Sequence, residues 1–98
     1  MTINITTEGT NATVALEGRL DTTTAPQLEA ELSAIPESME TLVLDMSALE
    51  YLSSAGLRVI LAAHKRMSRR GGLIVRHVNE TIREIFDVTG FTDILTIE

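Results

Sequence analysis

Cysteine and tryptophan are absent from this chain, and it has only one tyrosine and two phenylalanines. Without cysteine there is neither a disulfide scaffold nor a thiolate metal site, and residence in a reducing cytoplasm is permitted. With so few aromatics an aromatic cage for a ligand is not expected, and the core must be built from Leu, Ile, Val and Ala. No apolar run approaches the roughly 20 residues that cross a bilayer. Met1-Thr2-Ile3-Asn4 has neither the charged nor the apolar region of a signal peptide. From these absences a soluble, cytoplasmic protein with no membrane partner is expected. Basic residues are few as well. Eight Lys and Arg stand against fourteen Asp and Glu, for a formal net charge of -6, which disfavours non-specific binding to nucleic acid.

The 98 residues suffice for one domain, spanning 1–98. No linker, repeat or low-complexity segment divides them. Thr2 to Thr6 and Asn11 to Glu17 alternate around the turn Glu8-Gly9-Thr10-Asn11, which predicts an antiparallel hairpin. Thr24 and Gln27 fit a capping box, Pro26 is tolerated in a first helical turn, and Leu28, Leu32 and Ile35 recur at helical spacing until Pro36. Thr41 to Asp45 reads as a short buried strand. A helix from Ala55 to Arg70 follows, with Leu57, Ile60, Leu61 and Met67 inward, Val59, Ala62 and Ala63 broadening that face, and Gly71-Gly72 as its stop. Residues 73–76 form the next strand. Asn79 caps a third helix carrying Ile82, Ile85 and Phe86, Gly90 closes it, and Ile94 to Ile97 form a last strand. The order β-β-α-β-α-β-α-β predicts an α/β domain with a mixed sheet, one hairpin and right-handed parallel βαβ units.

Most familiar chemistries lack their residues. His64 falls within a helix and His77 at a strand end, with no second ligand at metal-binding spacing. A Gly-x-Ser-x-Gly elbow is missing, because residue 52 is Leu. Asp45 could stand where a receiver domain carries its phosphoacceptor. The acidic pair and the lysine such a domain needs are absent, since the only lysine, Lys65, lies in a helix. Asp21 and Asp45 have ordinary roles in a loop and at a strand end. No glycine-rich phosphate cradle is present, and no cofactor is implied. The basic residues after position 57 polarise the surface, as suits a protein partner, while Arg66, Arg69 and Arg70 are expected to complement a helix C-terminus and stay solvated.

What remains is Ser53-Ser54-Ala55-Gly56-Leu57-Arg58 at the start of the central helix. One of the two serines is expected to cap that helix, a contribution of about 0.5–2 kcal/mol relative to Ala. The unpaired amides and the helix dipole at this end would also accommodate a phosphate on a serine. Gly56 costs about 1 kcal/mol of helix propensity against Ala and leaves the backbone open to close approach.

These residues resemble the STAS domains, shared by anti-sigma factor antagonists and the tails of sulfate transporters. The resemblance covers nearly the whole chain. It is carried by Gly18-Arg19-Leu20-Asp21, by Leu42-Val43-Leu44-Asp45 running into Ser47-Ala48-Leu49, by Tyr51-Leu52-Ser53-Ser54-Ala55-Gly56-Leu57, by Gly71-Gly72 and by Phe86-Asp87-Val88-Thr89-Gly90-Phe91. It implies a stand-alone, non-enzymatic antagonist that binds a serine-kinase anti-sigma factor. It implies further that this kinase phosphorylates the serine two residues before the motif glycine, here Ser54, with Ser53 a minor alternative, and that a PP2C-type phosphatase reverses the step. Many relatives have Asp where this chain has Ser53, and Ala55 replaces a hydroxyl residue. Asp21 matches a loop acid of the kinase contact. The partner surface it implies comprises Asp21, Thr22, Ser53, Ala55, Gly56, Leu57 and Arg58. A second reading is a structural, unphosphorylated STAS subunit of a transport or other regulatory complex.

Overall fold

A computed structural model describes residues 1–98. Its elements are β1 (Thr2–Glu8), β2 (Asn11–Leu20), α1 (Ala25–Ser33), β3 (Thr41–Leu52), α2 (Ser54–Met67), β4 (Gly72–Arg76), α3 (Glu80–Thr89), a 3-10 turn (Phe91–Asp93) and β5 (Thr96–Ile97). The five strands lie in sequence order, β1-β2-β3-β4-β5. β1 and β2 are antiparallel, and every later pair is parallel with a helix in the crossover. This is the mixed α/β architecture expected from the hairpin and the βαβ spacing.

Alternation decides what is buried. Ala12, Val14 and Leu16 on β2, Leu42, Leu44 and Met46 on β3, and Leu73 and Val75 on β4 point to one side. They join Leu28 and Leu32 of α1, Ile60 and Met67 of α2, and Ile82 and Phe86 of α3 in one cluster of 23 residues. Aliphatic burial of this kind is the dominant favourable term, at about 25 cal/mol per Å². No helix is long and apolar enough to cross a membrane.

Several boundaries differ from the sequence reading. β3 does not stop at Asp45 but continues to Leu52. Its pairing with β2 slips between Ala15↔Asp45 and Glu17↔Ala48, and again between Gly18↔Leu49 and Arg19↔Tyr51, so β3 carries an extra residue at each step. Each bulge reverses the period-2 pattern, which hides a strand from an alternation test. Asp45 is therefore inside β3, not at its end. α2 runs from Ser54 to Met67 and does not reach Arg70. Ser68 closes it, its amide donating to His64 O and its hydroxyl to Lys65 O. The glycines serve the next turn. A Cβ on Gly71 would lie 2.7 Å from Glu40 O, and Gly72 enters β4 at φ +100°. On α2, Leu61 is half-buried and Ala62 exposed, so the covered face is narrower than expected. β5 is confined to Thr96–Ile97, because residues 91–93 form the 3-10 turn and Ile94 is exposed.

Two polar roles also differ. Thr24 makes no capping box with Gln27. Its hydroxyl turns back, accepting from Asp21 N and donating to Arg19 O, each at 2.8 Å. Arg66 is not simply solvated. Its guanidinium donates to Leu32 O at 2.7 Å and Ile35 O at 2.8 Å. α1 has no basic residue in its own last turn, and Arg66 of α2 brings a positive charge to that end, donating to Leu32 O, which also accepts from Ile35 N, and to Ile35 O just past the helix. Arg70 similarly donates to Met39 O.

Candidate functional site

The C-terminal ends of β2 and β3 and the N-terminus of α2 meet at one corner of the molecule. Leu20 pairs with Leu52, and Ser53 N donates to Leu20 O at 2.9 Å. The residues that follow, Asp21-Thr22-Thr23 from β2 and Ser53-Ser54 from β3, therefore leave the sheet side by side.

The two serines divide the work. Ser53 has extended backbone (φ -94°, ψ 172°), and its Oγ accepts from Gly56 N at 3.4 Å. Ser53 is the N-cap. Ser54 is the first helical residue, is exposed, and its hydroxyl takes part in no hydrogen bond. Capping α2 and presenting a free hydroxyl thus fall to two adjacent residues, Ser53 and Ser54.

Gly56 and Leu57 stand behind this surface. A Cβ on Gly56 would lie 2.6 Å from Leu20 Cγ and 2.8 Å from Leu52 Cδ1. The close approach that glycine permits is thus made by the protein's own core and not by a partner. Leu57 is buried in that core. Of the expected contact residues, Thr22, Ser54 and Arg58 are exposed, Asp21, Ser53 and Ala55 are half-buried, and Gly56 and Leu57 are covered. Arg58 is one turn below Ser54 and in no ion pair.

Asp21 is fixed by its own loop. Its Oδ1 accepts from Thr23 Oγ1 at 2.7 Å, Thr23 N at 3.0 Å and Thr24 N at 3.2 Å. The Thr23 hydroxyl, helped by these amides, holds the carboxyl below its ordinary range against a smaller opposing effect of burial. The corner thus carries a fixed carboxylate. Arg19 lies beside it, its Nε 3.9 Å from Asp21 Oδ2 and its guanidinium 4.3 Å from the centre of the Tyr51 ring. Sequence reading did not place Arg19 or Thr23 here. Thr23 was legible as an Asx-turn partner two residues after Asp21. The Arg19–Tyr51 stack depends on the second bulge of β3, and no local pattern announces it.

Elsewhere Asp45 and Asn79 have structural tasks. Asp45 Oδ1 accepts from Ser47 N at 3.0 Å, spanning the first bulge, and lies 3.1 Å from His77 Nδ1. The Ser47 amide, then His77, holds this carboxyl low against partial desolvation. Asn79 caps α3 through Ile82 N and donates to Leu49 O. No three His, Asp or Glu side chains gather into a metal site.

Comparison with known proteins gives the fold and the corner a context. The family model described as Mlab, STAS domain matches residues 3–96. A Bordetella bronchiseptica protein provisionally named anti-sigma factor antagonist BtrV is 38% identical over 84 residues, covering 84% of this chain and 72% of that protein. The anti-sigma-B factor antagonist of Bacillus subtilis is 31% identical over 85 residues, covering 86% and 78%. The crystal structure of an anti-sigma factor antagonist from Mycobacterium paratuberculosis superposes with a TM-score of 0.89 at 28% identity, covering 98% of this chain and 83% of that one.

Proposed function

The chain belongs to the STAS-domain family, and from that premise we propose that it is an anti-sigma factor antagonist in a cytoplasmic partner-switching system. Unphosphorylated, it binds a serine-kinase anti-sigma factor and releases the sigma factor. The kinase phosphorylates Ser54, which ends the complex, and a PP2C-type phosphatase restores it. On this reading the chain is a binding module and a substrate, not a catalyst.

The observation that carries the proposal is the separation of Ser53 from Ser54. The cap is provided by Ser53, so modification of Ser54 leaves α2's own hydrogen bonds untouched. A phosphate on Ser54 brings about -1.5 to -2 charge to a helix N-terminus that tolerates it. A coupling of about 1–3 kcal/mol changes affinity about 5–150-fold, so the switch works at the interface with no refolding.

Calorimetric titration of the purified chain with the serine kinase encoded nearest its gene tests this. Ser54→Ala should bind as the parent does, and Ser54→Asp should bind at least about fivefold more weakly. Equal affinities for all three would remove the switch. Stable co-purification with a transporter ATPase, without kinase binding, would favour the structural-subunit reading instead.

A further inference from the structure

Below Ser54, α2 presents a heptad-spaced face to solvent. Ala55, Arg58, Ala62, Lys65 and Arg69 recur at steps of three, four, three and four residues. Arg58, Ala62 and Lys65 are exposed and Ala55 is half-buried. Arg69, exposed just past the helix end, continues the row. The row from Arg58 to Arg69 is about 16 Å long at helical rise.

No carboxylate answers its charge within the molecule, although Lys65 and Arg69 stand at the negative end of the α2 dipole. Despite fourteen acids in the chain, none of Arg58, Lys65 and Arg69 enters an ion pair. The ion pairs present use Arg19, Arg70, Arg76, His77 and Arg83. The next basic side chain, Arg66, is turned aside to cap α1. Glu37 borders the same hollow as Lys65 and Arg69, but its carboxylate lies toward Arg70, at 3.9 Å. Three unpaired cations therefore stand in line on a protein whose net charge is -6.

The composition of the row selects its occupant. Ala55 and Ala62, on either side of Arg58, let a second helix approach closely at the upper part of the row, and Arg58, Lys65 and Arg69 fit carboxylates repeating at the same spacing. A membrane surface needs an apolar side chain to insert. The exposed large apolar residues are Ile5, Tyr51, Val88 and Ile94, none of them in the row. A nucleic acid would gain only three cations while meeting a net-negative protein. We propose that this face of α2 is a docking surface for an acidic helix of a partner protein, with Glu or Asp at heptad spacing. Ala55 and Arg58 also belong to the partner surface of the proposed function; Ala62, Lys65 and Arg69 extend it down α2, and its test needs neither the kinase nor Ser54, so the two readings fail separately.

The test uses the full, unphosphorylated chain and a synthetic three-heptad helical peptide with Glu at the positions facing the row. Amide shifts should concentrate at Ala55, Arg58, Ala62, Lys65 and Arg69, and binding should weaken with salt. The triple variant R58E/K65E/R69E, checked for an unchanged melting curve, should lose at least about tenfold in affinity and should bind the same peptide with Lys in place of Glu. Absence of peptide binding would overturn the proposal. So would equal binding of a scrambled peptide of the same composition, undiminished binding by the triple variant, or tighter binding of duplex DNA or phosphatidylserine vesicles to this row.

Discussion

Leu20 occupies the space that a side chain on Gly56 would need: a Cβ at position 56 would lie 2.6 Å from Leu20 Cγ. Leu20 and Leu52 are both enclosed, at 0% and 3% exposure, and cannot swing away. Gly56→Ala gains about 1 kcal/mol of helix propensity but incurs an overpacking cost of about 1–3 kcal/mol. The second effect should win, and urea unfolding should show the variant less stable than the parent. A gain in stability would mean that α2 can lift off the sheet end at little cost.

The serines should respond in opposite ways. Ser53→Ala removes the N-cap and should cost about 0.5–1 kcal/mol, the low end of the usual range because the bond to Gly56 N is long at 3.4 Å. Ser54→Ala breaks no hydrogen bond and should change stability by less than about 0.5 kcal/mol. Thermal unfolding of both variants checks the assignment, and a larger loss for Ser54→Ala would reverse it.

Arg66 links α2 to the end of α1 through two short hydrogen bonds. Arg66→Met should lose about 1.5–3 kcal/mol, the range for hydrogen bonds to a charged group. Arg66→Lys should recover little, because a lysine cannot reproduce the fork that reaches both carbonyls. Amide exchange near residues 32–35 should accelerate in both variants. Full rescue by lysine would show that charge near α1's end matters more than the paired geometry.

Acid should act partly through Asp45. Its carboxyl titrates below the ordinary value of 3.8 in the folded protein. The stability it contributes is therefore present above that ordinary value and lost as pH falls through the folded one. Asp45→Asn should be less stable than the parent at pH 7, with the difference narrowing as pH falls below 3.8 and through the lowered folded value. Urea midpoints measured across that range read the effect, and a difference that stays constant with pH would contradict it.

Much of the fold is legible in the sequence because the aliphatic pattern is regular where the elements are regular. The spacing of Leu28 and Leu32, of Ile82 and Phe86, and of Leu73 and Val75 is enough to mark α1, α3 and β4. The second half of β3 is not legible, since two bulges break its alternation around Ser47 and Glu50. The same bulges bring Tyr51 under Arg19, so that part of the corner is hidden too. Which serine caps α2 is open in the sequence, because both are good N-caps and the choice depends on where β3 ends. Arg66 reads as a solvated cation because its partners, Leu32 O and Ile35 O, are backbone atoms about 30 residues away. Side-chain patterns carry no trace of backbone partners so distant along the chain.

The central claim is that Ser53 holds the helix and Ser54 takes the phosphate. Site-mapped mass spectrometry tests it most directly, on parent, Ser53→Ala and Ser54→Ala proteins incubated with ATP and the serine kinase encoded nearest the gene. A single phosphate is predicted on Ser54 in the parent and in Ser53→Ala, and none in Ser54→Ala. A phosphate on Ser53, or undiminished phosphorylation of Ser54→Ala, would contradict it.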